Sequence, residues 1–163
     1  MLPADIHDLA QRLVNDYATR KRKIATAESC TGGLIAGALT EIAGASDVFE
    51  RGFVVYSNDA KTEALDVSAG QLEQFGAVSA EVAEALAQGA IAHSKADIAV
   101  SATGIAGPAG GTAIKPVGLV YIGIATREGA VFHYKCQFKG DRDDVRLQAV
   151  REALKLLLSS LGE

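Results

Sequence analysis

The fold is decided by residues 24–42, which read IATAESCTGGLIAGALTEI. The first four residues are apolar and predict a short buried strand, and residues 34–42 predict a buried helix that Gly44 closes. Between these elements stand several polar residues and two glycines, Gly32 and Gly33, which allow the backbone to turn tightly. The segment therefore predicts a strand, a polar turn and a helix, and Ser29 lies in the turn.

Helix and strand patterns alternate along the rest of the chain. Further helices are predicted over residues 3–20, after the capping string 57–59, and over residues 68–75, 79–93 and from 141 onward. Further strands are predicted over residues 48–56, 97–101, 117–126 and 131–138, and Glu128-Gly129 joins the last two in a hairpin. We therefore expect an α/β fold: a three-layer α/β/α sandwich with a mixed, mostly parallel sheet and a late antiparallel hairpin.

Length and composition indicate one globular domain, residues 1–163. Hydrophobic residues make up 48% and charged residues 22% of the chain, which excludes a disordered protein. The net charge of −4 argues against a nucleic-acid partner, because such proteins usually carry a basic surface. No apolar stretch is long enough to span a membrane, and the first residues lack a secretory signal. We expect a cytoplasmic protein without a membrane partner.

In sheets of this kind, ligands sit beyond the carboxyl ends of the strands. The glycine-rich turns after residues 27 and 102 are both expected there. The second turn, residues 103–111, lacks the Gly-Lys-[Ser/Thr] ending of a phosphate-binding P-loop, and no helical pattern follows it. It is either a flexible turn or a backbone nest for an anion.

Ser29 is a candidate nucleophile because it stands where a helix N-terminus offers unpaired backbone N–H groups to an oxyanion. The alternative is that Ser29 only caps the helix. The turn is not the nucleophile elbow of lipases, since Ala27 and Thr31 occupy the positions where that pattern has glycine.

A serine nucleophile needs a base, and the three histidines, at positions 7, 93 and 133, lie away from the glycine-rich turns. Lys61 is the candidate base, provided that burial lowers its pKa well below the usual value of about 10.4. Tyr56 could pass protons between Ser29, Lys61 and the leaving group. The alternatives are that Lys61 is a surface lysine and Tyr56 an ordinary strand residue.

Arg142 and Arg146 lie four residues apart and therefore share one face of the last predicted helix. Either they pair with the aspartates at positions 141, 143 and 144, or one of them binds a substrate phosphate in a bidentate manner. The scattered histidines and these clustered aspartates do not have the spacing of a metal site, so we expect no metal.

Five strings together resemble the C-terminal domain of the CinA competence/damage-inducible family, in order and over nearly the whole chain: residues 26–33, 55–61, 102–108, 115–118 and 140–142. The resemblance implies a three-layer mixed-sheet fold without a metal. It implies nicotinamide-nucleotide amidohydrolase activity, also called nicotinamide mononucleotide deamidase. Such an enzyme converts nicotinamide mononucleotide and water to nicotinate mononucleotide and ammonia in bacterial pyridine-nucleotide recycling.

By this resemblance the catalytic residues are Ser29, Lys61 and Tyr56. The substrate contacts of the second loop fall on Thr103 and Gly104, and the phosphate-binding arginine on Arg142, with Arg146 as the alternative. Further expected substrate-binding residues are Thr31, Gly32, Gly33 and Asn58. We expect no cofactor, a small nucleotide substrate and a homo-oligomer, for which the leucine-rich last helix offers a surface.

In the expected mechanism, Lys61 accepts the Ser29 proton directly or through Tyr56, and amides near residues 30–33 hold the oxyanion. Cys30 is a rival nucleophile, because a helix terminus favours its thiolate. Two other functions stay open: a non-catalytic nucleotide-binding or competence- and DNA-damage-associated module, and a Ser–Lys amidase for another small amide. Many family members carry an additional N-terminal domain, and we expect its activity to be absent here.

Overall fold

Five strands form one sheet in the computed structural model, which describes residues 1–161. The strands are β1 (Ile24–Glu28), β2 (Phe49–Val54), β3 (Ile98–Gly104), β4 (Leu119–Thr126) and β5 (Val131–Gln137). The helices are α1 (Ala4–Thr19), α2 (Leu34–Thr40), α3 (Asn58–Leu65), α4 (Ala69–Phe75), α5 (Ala80–Ala92) and α6 (Arg142–Ser159). Each of these elements was predicted from the sequence pattern, with ends that differ by a few residues.

The order of the strands across the sheet is β2-β1-β3-β4-β5. Strand β1 runs parallel to both of its neighbours, whereas β4 runs antiparallel to β3 and to β5. Four strands therefore point the same way and β4 alone is reversed, which confirms the mixed, mostly parallel sheet. In the β1–β3 register, Glu28 lies opposite Ala102. The two glycine-rich turns that follow these residues thus leave the sheet side by side, at the edge where a ligand site is expected.

Helices cover both faces of the sheet and complete the three layers. Helices α1, α2 and α6 pack on one face and α3, α4 and α5 on the other. Alternate residues of β1 serve the two cores, with Ile24 in the first and Ala25 and Ala27 in the second. Because β1 is buried throughout its length, its last residues deliver their side chains into the interior of the molecule.

Serine side chains cap the three helices of the second face. Ser57, Ser68 and Ser79 each accept a hydrogen bond from a backbone N–H in the first turn of α3, α4 and α5. Helix α6 begins with a capping box in which Asp141 and Asp144 each bind the other's backbone N–H. The cap at Ser57 matters for the site, because it starts α3 immediately beyond the end of β2.

The apolar face of α6 is occupied inside the molecule. Its buried leucines, Leu154, Leu156 and Leu157, belong to the core that α6 shares with α1 and the sheet. The surface suggested for a homo-oligomer is therefore used within the protomer, and the oligomer stays a prediction. Among residues 1–161, none of the helices has the length and apolar character needed to cross a membrane.

Candidate active site

Ser29 lies directly after β1, in the tight turn that leads to α2. Its backbone N–H donates to the Ala102 carbonyl over 2.9 Å, which ties the turn to the neighbouring strand β3. Gly32 and Gly33 adopt φ of 59° and 100°, a left-handed conformation that favours glycine. Ser29 is 8% exposed, so its hydroxyl stands at the base of a nearly closed site.

Lys61 reaches Ser29 from α3, which packs on the face of the sheet opposite to α2. Its Nζ lies 3.1 Å from Ser29 Oγ and 3.1 Å from the Tyr56 carbonyl oxygen. Lys61 is only 1% exposed, and burial lowers its pKa from the usual value. In the described part of the chain no carboxylate pairs with this amine. The structure therefore brings Ser29 and Lys61 together, and the alternative of a solvated surface lysine is wrong.

Tyr56 meets Lys61 through its backbone rather than through its ring. The side chain is 61% exposed, and its hydroxyl accepts a hydrogen bond from Arg142 Nη2 over 3.2 Å. The hydroxyl is thus held on the solvent side of the site, next to the start of α6. A proton path from Ser29 or Lys61 through the Tyr56 hydroxyl stays a prediction.

Glu28, the last residue of β1, is a fully buried carboxylate. Its Oε1 accepts hydrogen bonds from Thr31 Oγ1 over 2.6 Å and from the Ile35 amide over 2.9 Å, and its Oε2 accepts one from the Ala36 amide over 3.0 Å. The two amide donors belong to the first turn of α2, where the helix dipole favours a negative charge. The sequence analysis gave Glu28 no role. The one signal was a charged residue at the end of an otherwise apolar strand.

Arg146 binds the same turn from α6. Its Nε donates to the Cys30 carbonyl over 3.0 Å and its Nη2 to the Thr31 carbonyl over 3.3 Å. Its partners are thus backbone oxygens, not the neighbouring aspartates. The pairing of Arg142 and Arg146 with those aspartates, one of the two sequence alternatives, is not found among the described salt bridges.

The hydrogen bonds of the turn decide which amides are left for an oxyanion. The amides of Ile35 and Ala36 bind Glu28, and those of Gly32 and Leu34 bind carbonyls within the turn. Within residues 1–161, the amides of residues 30, 31 and 33 have no protein acceptor. Residue 31 is completely buried, Cys30 is 6% exposed and Gly33 is half-buried, so Gly33 is the most open of the three residues.

The Cys30 thiol is a poor rival to Ser29. Burial raises its pKa to about 11, and the Glu28 carboxylate adds to the shift, although Arg146 and Lys61 act in the other direction. The expectation that the helix terminus favours a thiolate is therefore wrong, because burial outweighs the terminus.

The second glycine-rich turn, residues 103–111, begins in the last two residues of β3. The loop that connects β3 to β4, residues 105–118, contains no helix. Thr103 is buried, and its hydroxyl donates to the Ala77 carbonyl over 2.8 Å. A Cβ on Gly104 would lie 2.5 Å from Val120 Cγ2, so glycine is required for the packing of β3 against β4. The structure thus accounts for both residues by packing, and their contact with a substrate stays a prediction.

Arg142, the first residue of α6, contacts this loop at Gly107. Its Nη1 donates to the Gly107 carbonyl over 2.8 Å, and it lines a groove of about 520 Å³ between the loop and the start of α6. The side chain is exposed, so a ligand in the groove can reach it. Ser29 and Lys61 do not line this groove, but Arg142 joins it to the site through Tyr56.

Three other expectations concern residues outside this arrangement. Asn58 is exposed at the start of α3 and lines a separate small pocket between α3 and α4. His7, His93 and His133 pair with surface carboxylates instead of Ser29, in agreement with their exclusion as the base. In the described part of the chain, no three His, Cys, Asp or Glu side chains converge where they could hold a metal ion.

Comparisons with known proteins agree with this fold. The chain matches the CinA C-terminal domain family over residues 6–161. The crystal structure of the competence/damage inducible protein CihA from Agrobacterium tumefaciens superposes with a TM-score of 0.96 at 50% identity, covering 98% of this chain and 97% of that one. A protein from Enterobacter agglomerans named nicotinamide-nucleotide amidohydrolase PncC is 50% identical over 94% of this chain and 93% of its own length.

Other relatives are much longer. A protein from Caldicellulosiruptor saccharolyticus, provisionally named a competence-damage inducible protein, is 49% identical over 96% of this chain. The chain spans only 38% of that relative's length, so the relative contains a large region with no counterpart here. The match over residues 6–161, together with the fold that the CihA structure shares, shows that the chain belongs to the CinA C-terminal domain family.

Proposed function

We propose that this protein hydrolyses the carboxamide of nicotinamide mononucleotide to nicotinate mononucleotide and ammonia, in pyridine-nucleotide recycling. The observation that carries the proposal is the buried Lys61 amine 3.1 Å from the Ser29 hydroxyl. A serine nucleophile beside a desolvated amine is an arrangement that supports acyl transfer. The choice of substrate is supported by the relative named nicotinamide-nucleotide amidohydrolase, which is 50% identical to the chain over nearly its full length.

In the first step, Lys61 removes the Ser29 proton. Burial lowers the pKa of the amine and so raises the fraction of the neutral base. A neutral amine has two hydrogens and one lone pair, so Nζ can donate to the Tyr56 carbonyl while the lone pair takes the Ser29 proton. The resulting Ser29 oxygen attacks the carboxamide carbon.

In the second step, the oxyanion of the tetrahedral intermediate binds the free amides of Cys30 and Gly33. Loss of one such donor typically costs about 10²–10³-fold in turnover. The C–N bond then breaks, and the Lys61 ammonium gives its proton to the departing nitrogen, which leaves as ammonia. Lys61, neutral again, deprotonates a water that hydrolyses the acyl-enzyme to the carboxylate product and free Ser29.

Arg142 binds the 5′-phosphate in this proposal. Arg142 is exposed at an open groove, and each of its Nη atoms keeps one N–H beyond the bonds to the Gly107 carbonyl and the Tyr56 hydroxyl. Arg146 is half-buried, does not line the groove and binds the carbonyls of the turn. A guanidinium suits phosphate because two parallel N–H groups match two phosphate oxygens. This assigns the role that the sequence left open between the two arginines.

Tyr56 is proposed to protonate the departing nitrogen as an alternative to Lys61. Its hydroxyl is held by Arg142, close to where the proposed phosphate site begins, so a bound nucleotide would pass beside it. A Tyr56→Phe variant removes the hydroxyl and keeps the carbonyl that positions Lys61. If Tyr56 supplies the proton, turnover falls while the Michaelis constant changes little, and unchanged turnover assigns the step to Lys61.

The remaining attributes follow from the same proposal. We propose a single catalytic domain over residues 1–163 that works in the cytoplasm as a homo-oligomer, without a cofactor, a metal or a nucleic-acid partner. Thr31, Gly32, Gly33, Asn58, Thr103 and Gly104 are kept as proposed substrate contacts. The hydroxyls of Thr31 and Thr103 donate to Glu28 and to the Ala77 carbonyl, which leaves their oxygens as acceptors.

The test is to incubate the purified protein with nicotinamide mononucleotide and to follow ammonia, with and without EDTA. We expect release in both arms and none from a Ser29→Ala variant. Nicotinamide riboside, which lacks the phosphate, should be a much weaker substrate, and equal rates would indicate an amidase for another small amide. Nucleotide binding that survives Ser29→Ala, with no ammonia from the wild-type protein, would establish the non-catalytic alternative.

A further inference from the structure

Two charged side chains with no ionic partner hold the turn that carries Ser29. Glu28 is completely buried, and Arg146 is half-buried. Within residues 1–161, neither of them forms a salt bridge. Burying a charge without a counter-ion is costly unless fixed dipoles solvate it. Both charges must therefore be compensated by the peptide groups that they touch.

The two residues bind opposite ends of these peptide groups. Glu28 accepts hydrogen bonds from N–H and O–H donors on the α2 side of the turn. Arg146 donates to the carbonyls of Cys30 and Thr31 on the other side. Thr31 is held by both, since its hydroxyl binds Glu28 and its carbonyl binds Arg146. We use the name clamp for the pair Glu28 and Arg146.

The clamp fixes the direction of successive peptide planes. A peptide unit is planar, so binding its carbonyl also fixes the N–H of the following residue. Arg146 fixes two planes in this way, those that begin at Cys30 and Thr31. The plane that begins at Ser29 is fixed by the hydrogen bond from the Gly32 amide to the Ser29 carbonyl, 3.1 Å long. The Gly32 N–H belongs to a plane that Arg146 holds, so the clamp also fixes, through this bond, the plane that carries the Ser29 carbonyl and the free Cys30 amide.

We infer that Glu28 and Arg146 are positioning residues, which hold the turn so that the Ser29 hydroxyl stays aligned with Lys61 and with the Cys30 amide proposed to bind the oxyanion. This inference rests on the proposed hydrolase function. Misplacing a reacting group by about 1 Å can cost about 10²-fold in rate, so loss of the clamp should lower turnover. Substrate affinity should change little, because neither side chain lies in the groove that Arg142 lines.

The experiment compares three arginine variants of the same helix with nicotinamide mononucleotide as substrate. Arg146→Ala should lower kcat by about 10²-fold with KM within about threefold of the wild type. Arg142→Ala should instead raise KM. Arg151→Ala is the matched control: among the residues that the structure describes, Arg151 pairs with Asp5 alone, away from the turn, so both constants should stay unchanged. Added guanidinium ion should partly restore kcat of Arg146→Ala and should not affect the control.

Rate constants are expressed per folded protein, measured by circular dichroism, so that a purely structural role does not lower them. Should Arg146→Ala fail to fold, Arg146→Lys carries the test, because lysine keeps the charge but offers only one point donor to the two carbonyls.

Glu28→Gln tests the other residue of the clamp. The glutamine NH₂ group replaces one carboxylate oxygen and faces a hydrogen-bond donor instead of an acceptor, so we expect about a tenfold fall in kcat at unchanged KM. An unchanged kcat in the arginine variant, or a raised KM with unchanged kcat, overturns the inference.

A second substrate separates failure of the clamp from failure of the proposed function. The activated ester p-nitrophenyl acetate acylates a competent serine without needing a nucleotide site, and mass spectrometry detects the acetyl group on Ser29. If the wild-type protein is acylated but releases no ammonia, the proposed substrate is wrong, and slower acylation of Arg146→Ala than of Arg151→Ala still supports the clamp. If Ser29 of the wild-type protein is not acylated, both are overturned.

Discussion

Two glycine-rich segments leave the same edge of the sheet, and they differ in how tightly they are held. The turn after β1 is buried and bound by Glu28, Arg146 and Lys61. The loop after β3 is mostly exposed between residues 108 and 114. A turn held by several hydrogen bonds suits a reaction that needs fixed distances, and an open loop suits the admission of a ligand. The comparison predicts that changes in the turn alter turnover and changes beside the loop alter affinity.

The largest effect is expected from Ser29→Ala, which removes the proposed nucleophile. Turnover should fall by at least about 10³-fold, while nicotinamide mononucleotide still binds, because the groove and Arg142 are untouched. Ammonia release and calorimetric binding measure the two quantities. Cys30→Ala is the control and should keep most of the activity, since the buried thiol has a raised pKa. Activity that survives the first change and disappears with the second would make Cys30 the nucleophile.

Lys61→Met should lower turnover by about 10²–10⁴-fold, the usual contribution of a general base. The same change should stabilise the fold at neutral pH, because a buried amine with a lowered pKa favours the unfolded chain there. Thermal melts of the two proteins check this gain. A variant that is both less stable and fully active would place Lys61 in the core instead of the chemistry.

The sign of the pH dependence follows from the lowered pKa of Lys61. Between that pKa and the unfolded value of about 10.4, the folded protein binds fewer protons than the unfolded chain, so its free energy of unfolding rises with pH. The value of kcat/KM should rise with pH as the amine loses its proton, with a midpoint below 10.4. Lys61→Met should abolish the stability trend, and a wild-type rate that falls with pH over this range would contradict the base role.

Arg142→Ala should raise KM by about 10–100-fold, which corresponds to the loss of one or two hydrogen bonds to a charged phosphate. The fall in kcat should be smaller. The comparison with nicotinamide riboside sharpens the result, because a substrate without phosphate should not distinguish the variant from the wild type. A normal KM with a collapsed kcat would show that Arg142 acts in turnover, like the turn after β1, and not in substrate binding.

The smallest effects are expected from two matched glycine changes. Gly32→Ala places a Cβ 3.2 Å from Arg146 Nη2, and Gly110→Ala places one in ordinary contact, 3.7 Å from Ile105 Cγ2; both residues have positive φ. Both variants should lose roughly 1 kcal/mol of stability through backbone strain. Only Gly32→Ala should lower kcat, by about tenfold, because it disturbs the clamp. Equal kcat values in the two folded variants would show that the turn tolerates displacement.

Local patterns in the sequence were sufficient for the fold. The strand, turn and helix of residues 24–42 follow from their apolar spacing and glycines, and the serine that caps α3 was recognisable in its string. At least one antiparallel strand was predicted because Glu128-Gly129 joins two strand patterns closely, and the structure shows that this strand is β4. These features depend on neighbours in sequence, which is the information that a single chain displays.

The contacts of the site depended on distant residues and were harder to predict. Arg146 reaches a carbonyl 116 positions away, and nothing in the spacing of α6 indicates that its partners are backbone oxygens. Glu28 has local partners, but its role requires knowing that the strand end is buried. The burial of Lys61 was only a condition of the hypothesis, since a lysine on a short helix is usually solvated. The ring of Tyr56 points to Arg142 because β2 has already ended.

Strand β4 is the one reversed strand, and its direction leaves the connection from β3 free of a crossover helix. A segment of that kind does not have to bridge the sheet, so its length is not fixed by the distance between two parallel strands. Residues 108–114 can therefore lengthen, shorten or change composition while the reacting groups across the sheet edge stay in place. Because Pro108 lines the groove of Arg142, this stretch is where the shape of the groove can change while the turn that carries Ser29 keeps its contacts.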